Sequence, residues 1–180
     1  MRISEKKKVV LKVIGAAFLV GVLLLVPNAL QALKVVKRQD KYYNKKIIKK
    51  LFDDKLIYLS GEEITLSKKG MRLLKMIQVE DIQINAPAED EEWDGLWHIV
   101  CWDVPEKYKK ERDCFKDKLK ESGFYKVQKS LWAYPYECKE EVAIIAQNLS
   151  IAPFVVYLNT DHLPIQSKLI RYFNLDQSPM

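Results

Sequence analysis

The chain has 180 residues, 48% of them hydrophobic, with 30 Lys/Arg against 24 Asp/Glu. That length and apolar content suit one or two domains with true cores and exclude a disordered or fibrous chain. Three cysteines (Cys101, Cys114, Cys138) without C-x-x-C spacing, beside only two histidines, argue against a zinc site or a disulfide framework and for a reducing, cytoplasmic setting.

The net charge of +6 is unevenly spread. Residues 1–85 carry 18 basic and 8 acidic side chains, whereas residues 86–180 carry 12 and 16. A basic front half on an acidic rear half suggests that the front meets a polyanion.

Val9–Val26 is apolar except for Lys12 and follows Lys6, Lys7 and Lys8. A bilayer span needs about 20 apolar residues. This segment is slightly short, and its uninterrupted part, Val13–Val26, is shorter still. It is read as a buried core helix. The alternative is a membrane anchor through Val9–Val26, with Lys34, Lys37 and Arg38 near lipid headgroups and the domains in the cytoplasm. No small-x-small cleavage site follows it, which disfavours a secretory signal.

Pro27 opens a second helix through about Arg38. A third, over Tyr42–Lys55, is two-faced at about 100° per residue. Ile47, Ile48, Leu51 and Phe52 fall on one side; Lys45, Lys46, Lys49 and Lys50 fall on the other, with Tyr42 among them. Leu56–Leu59 and Ile64–Leu66 flank a Ser60-Gly61 turn, a hairpin signal. Ser67 can cap a fourth helix carrying Met71, Leu74 and Ile77. Residues 1–81 therefore read as a winged helix-turn-helix. In that geometry the third helix enters the major groove and the hairpin touches the backbone. Tyr42, Asn44, Lys45, Lys46, Lys49 and Lys50 are the candidate contacts with double-stranded DNA. A lysine run is also what an ordinary solvated helix face shows; the hairpin and the basic field favour DNA.

Residues 82–92, with Pro87 and the acidic run Glu89-Asp90-Glu91-Glu92, read as a linker. Residues 93–180 read as one α+β domain. Leu96–Trp102 is a central strand, broken by Asp103-Val104-Pro105, and Pro105 sits where a helix begins. Phe115 and Leu119 mark the inner side of that helix, and Gly123 ends it. Tyr125–Gln128 and Leu131–Tyr134 are strands. Pro135 and Glu137 open a second helix with Val142, Ile145, Ala146 and Leu149 inward. Phe154–Leu158 is the last strand. The order β-α-β-β-α-β is ferredoxin-like. Leu163–Leu175 reads as a tail, either a short helix or an exchanged edge.

Asp103 ends the first strand of this domain. An acid there serves as a helix cap, accepting backbone N–H groups, or as an oxygen ligand for a divalent cation such as Mg2+ or Mn2+. The cap is preferred, because one carboxylate is a thin ligand set and no general base lies nearby. His98 falls on the other strand face and reads as a packed or surface histidine. Trp93, Trp97, Trp102, Trp132, Tyr134 and Tyr136 read as core or dimer interface rather than as a base-stacking platform. The cysteines read as small buried apolar residues.

WHIVCWDVPE and GFYKVQKSLWAYPYE resemble the central domain of the phenylacetate-catabolism repressors, the PaaX-like family. That domain is similar to the small dimeric endonuclease subunit of CRISPR adaptation complexes. Strand-Asp-x-Pro, Gly-Phe and Gln-Lys-Ser-x-Trp occur in order, and the resemblance covers Trp93 to Leu158. The LSKKG turn before the fourth helix also looks like the repressors' N-terminal domain. The resemblance implies a homodimer of ferredoxin-like domains carrying two winged helices, acting as a transcriptional repressor. It also implies that Asp103 matches the strand-end Asp that holds a divalent metal across the CRISPR dimer, so a metal-dependent endonuclease is an alternative. The repressors carry a further C-terminal domain not seen in this sequence, and their effector does not carry over. Beyond a possible divalent metal, no cofactor is expected.

Overall fold

The computed structural model describes residues 4–21, 41–60, 63–84 and 92–175. The protein is α+β, with six α-helices and two antiparallel sheets among the described residues. It divides into two compact units, Met1–Ile77 and Gln78–Met180.

The first unit holds helix α1 (Glu5–Gly21), helix α2 (Lys41–Asp53), strands β1 (Ile57–Ser60) and β2 (Glu63–Leu66), and most of helix α3 (Lys68–Asp81). β1 and β2 pair antiparallel from Ile57↔Leu66 to Ser60↔Glu63. Val10, Leu11 and Ile14 of α1 form one dry cluster with Leu51, Leu56, Ile57 and Ile77, and Leu11 and Leu51 are fully buried. Each such side chain contributes about 1.5–3 kcal/mol by leaving water. The buried-helix reading of this segment is met at Val10, Leu11 and Ile14, and among the described residues no helix is long and apolar enough to cross a membrane. Residues 22–26 and the second helix expected over Pro27–Arg38 lie outside the described residues.

The junction between α2 and α3 is tied by short bonds. After Lys55, in the left-handed region at φ 56°, the Leu56 amide donates to the Leu51 carbonyl (2.9 Å) and the Ser67 amide donates to the Leu56 carbonyl (3.0 Å). Ser67 caps α3 as expected: its Oγ accepts from the Gly70 amide (2.9 Å) and donates to the Lys55 carbonyl (2.7 Å). A β-carbon at Gly70 would collide with the carbonyl oxygen of Leu56. This explains the glycine of LSKKG. Helix α3 starts against backbone that has no room to yield.

In the second unit, β3 (Trp97–Trp102) leads through a 3-10 turn (Glu106–Tyr108) to helix α4 (Lys109–Glu121). Strands β4 (Tyr125–Gln128) and β5 (Leu131–Tyr134) follow, then helix α5 (Lys139–Asn148). A second 3-10 turn (Ala152–Phe154) precedes β6 (Val155–Thr160), and helix α6 (Gln166–Phe173) closes the unit. The sheet order is β4-β5-β3-β6, antiparallel throughout. β3 is central, which accounts for its near-complete burial. Gly123 at φ 86° makes the turn that ends α4.

The two faces of the sheet are covered differently. Trp102 meets Phe115 of α4 edge-on at 5.5 Å, and Val142, Ile145 and Ala146 are the buried residues of α5. On the opposite face, Leu169 of α6 is fully buried with Trp97, Ile99 and Ala133, and Ile170 and Phe173 pack beside it. Two sequence expectations shift. α4 begins at Lys109 rather than at Pro105, because the 3-10 turn intervenes. α5 begins at Lys139, after Cys138, rather than at Pro135. Of the two readings of Leu163–Leu175, the short helix is the one observed: α6 covers the sheet, and Asn174 ends it in the left-handed conformation.

Lys7 Nζ donates to Asp54 Oδ2 at 2.7 Å, joining α1 to the end of α2. That hydrogen bond, with the charges of Lys7, Lys50 and Lys69, holds the Asp54 carboxyl below the ordinary carboxylate range. A carboxylate with a lowered folded pKa stabilises fully above its unfolded value, about 4. The contribution is lost as pH falls through the lower folded value. Lys7→Met is therefore expected to be less stable than wild type in urea at neutral pH, with the difference shrinking as pH drops below about 4. Gly70→Ala is expected to destabilise the first unit by about 2 kcal/mol or more, read from the same urea midpoints.

Candidate nucleic-acid interface

Helix α2 places the lysine run as its periodicity predicts. Lys46, Lys49 and Lys50 are exposed, Ile47 and Ile48 are half-buried, and Leu51 is fully buried in the core. The inner stripe anchors the helix and turns the lysines outward. Neither Lys46 nor Lys49 forms an ion pair with a described residue. Tyr42, Asn44 and Lys45 lie in the first turns of the same helix, and their side chains fall outside the described residues. Phe52, expected on the inner side, is 46% exposed.

The hairpin contributes a residue that the sequence reasoning passed over. Tyr58 on β1 is 58% exposed, while Ile57 beside it is buried. Alternation along β1 from Ile57 to Tyr58 was the available signal. Lys69 is also exposed, and its Nζ donates to the Asp54 carbonyl at 2.8 Å, so it is held near the start of α3.

Asp103 follows β3 directly and is exposed. Its amide donates to the Phe154 carbonyl at 3.0 Å, extending the β3–β6 ladder by one bond. The helix-cap expectation is not met. The 3-10 turn starts after Pro105 and α4 after Tyr108, and neither start has a side-chain cap. The metal expectation asks for about six oxygen ligands around a hard cation. Asp103 offers one carboxylate, and among the described residues no group of three or more His, Cys, Asp or Glu could hold an ion. Within one copy of the chain Asp103 alone does not complete such a centre; the resemblance implies a second Asp103 from the other copy.

His98 is packed rather than on the surface, at 2% exposure. Its Nδ1 lies 2.8 Å from the Tyr157 hydroxyl, which accepts from the Cys138 amide at 3.1 Å. Burial pushes the Tyr157 hydroxyl well above its ordinary pKa and the Cys138 thiol up to about 12, so both stay protonated at neutral pH. Burial likewise raises the Cys114 thiol to about 11. None of this favours a nucleophile. The trio links β3, β6 and the start of α5. Trp97, Trp102, Trp132 and Tyr134 are buried, as a core reading of the aromatics requires. Tyr157→Phe is expected to cost about 1–3 kcal/mol, because it strands a buried amide and imidazole nitrogen; thermal unfolding of the variant checks this.

Residues 90–169 match the family model of the PaaX protein central Cas2-like domain. No curated protein matches the chain. The match runs from just before β3 into α6, and it does not reach the first unit. It covers the motifs that carried the sequence resemblance: the strand with Asp103, the Gly123-Phe124 turn and Gln128-Lys129-Ser130-Leu131-Trp132. Over residues 90–169 the chain is similar to that domain.

Proposed function

We propose that the protein is a DNA-binding transcriptional regulator of the PaaX type, acting as a homodimer in the cytoplasm. In this reading the first unit is a winged helix-turn-helix and the second a ferredoxin-like dimerisation domain. The observation that carries it is the exposed Lys46, Lys49 and Lys50 face of α2, directly behind a stripe anchored in the core. A basic helix held rigidly beside an antiparallel hairpin has the parts a major-groove reader needs. The antiparallel order β4-β5-β3-β6 supports the second assignment, and the PaaX-type match supports a regulator over an enzyme.

The chemistry of the face sets what it reads. Lysine ammonium groups are compact point charges, suited to phosphates more than to bidentate contact with guanine. Lys46, Lys49 and Lys50 therefore position the helix on the backbone. Tyr42, Asn44 and Lys45, at the helix start, are assigned to base edges and adjacent phosphates. Tyr58 on the hairpin is assigned to the neighbouring backbone. A two-fold dimer presents two such helices to half-sites about one helical turn apart.

Binding of this kind displaces condensed counterions and is steeply salt-dependent. Duplex DNA titrated with the full chain from low to moderate salt is expected to give a linear log–log plot. Lys46→Ala with Lys49→Ala is expected to flatten its slope by about two units. An unchanged slope would remove α2 from the interface.

A further inference from the structure

The second unit is acidic overall, but its charges are segregated. Of the twelve Lys/Arg in residues 86–180, Lys126, Lys129, Lys168 and Arg171 lie in Ser122–Tyr134 and Leu163–Leu175, two stretches with no acidic residue. All sixteen acids of that half are shared among the other eight cations. On α4 this mixture produces ordinary surface pairs, such as Lys109 with Glu106 and Lys116 with Asp113. None of the four segregated cations forms an ion pair with a described residue.

The fold brings the two acid-free stretches together. Lys168, Arg171 and Tyr172 stand at i, i+3 and i+4 on α6, so they share one side of the helix. All three are exposed, Tyr172 at 55%. The opposite side, with Leu169, Ile170 and Phe173, is seated on the sheet. Tyr125 of β4 joins the two stretches: Lys168 Nζ lies 5.6 Å from its ring centre, and Tyr172 meets it edge-on at 4.9 Å. Lys129 in the β4–β5 turn is exposed, and β4 is an edge of the sheet; Lys126, opposite Trp132, is exposed on the α4 side of that edge. The result is an uncompensated cationic strip with exposed tyrosine, carried on a helix that its own core holds in place. A solvated face that served only solubility would carry both signs interspersed, as α4 does.

We propose that this strip, built from α6 and the β4 edge, is a second nucleic-acid-binding surface that takes a phosphodiester backbone. Lys168 and Arg171 neutralise adjacent phosphates, Lys129 extends the track at the β4–β5 turn, and Tyr172 packs its ring against sugar or an unpaired base. The inference deepens the DNA-binding reading, because it needs the same polyanion, but it uses residues of the other unit.

The test uses the full chain with two probes of equal length, a duplex and a single strand, each titrated across salt. Lys168→Ala with Arg171→Ala is expected to reduce the log–log slope by about 1.8 units on a duplex or about 1.4 on a single strand. Lys168→Arg with Arg171→Lys should retain the slope, and the melting temperature should stay near that of wild type in both variants. Loss on either probe supports the surface and identifies which form it holds. An unchanged slope on both probes overturns it. Failure here is distinct from failure of the α2 reading. If Lys46→Ala with Lys49→Ala flattens the slope while the α6 pair does not, the regulator stands without this surface. If only the α6 pair flattens it, the α2 assignment falls and this surface remains.

Discussion

A two-stranded hairpin and two amphipathic helices cannot enclose a dry interior by themselves. In the first unit Val10, Leu11 and Ile14 of α1 complete the enclosure, meeting Leu51 from α2, Leu56 and Ile57 at the hairpin, and Ile77 from α3. The orientation of α2 follows from this contact. Leu51 is fully buried only because α1 lies over it, and Lys46, Lys49 and Lys50 point outward only because Leu51 points in. The Lys7–Asp54 pair adds a polar latch at the end of α2, and Gly70 lets α3 begin against the Leu56 carbonyl. The basic face is thus a consequence of packing on the side away from it.

The second unit solves a different problem. Its central strand β3 is buried on both faces, so each face needs a cover. Trp102 against Phe115 shows α4 on one face, and Leu169 with Trp97 shows α6 on the other. The polar groups that this burial traps are partly matched, as in the His98–Tyr157–Cys138 arrangement. A histidine so enclosed, near a thiol held protonated by burial, serves packing. The unit's outward features are its charges: mixed on α4, and of one sign on α6 and the β4 edge.

Much of this was legible in the sequence where the punctuation was local. β4 and β5 were bounded correctly by Gly123 and Pro135, and Ser67 announced α3 through its capping position. The lysine stripe of α2 followed from period alone. What failed depended on partners distant in the chain. Asp103 offered a helix cap, which it is not, because a 3-10 turn at Glu106–Tyr108 separates it from α4. Pro135 and Glu137 imitated a helix start that Cys138 supplies. Helix α6 was one of two readings left open, because at eight residues its period is short and its apolar side is explained by Trp97 and Ile99. The Lys7–Asp54 bond spans 47 positions and left no sequence signal.

The central claim is that the apolar first helix is the inner wall of the first unit. Amide hydrogen exchange of the full chain measures this directly, because it reports burial and cooperative opening segment by segment. The account predicts that the amides of Val10–Ile14 exchange slowly and open together with those of Leu51–Ile57, as one structural unit. Fast exchange of Val10–Ile14 while Leu51–Ile57 stays protected would contradict it, and so would protection of Val10–Ile14 that appears only when lipid is added.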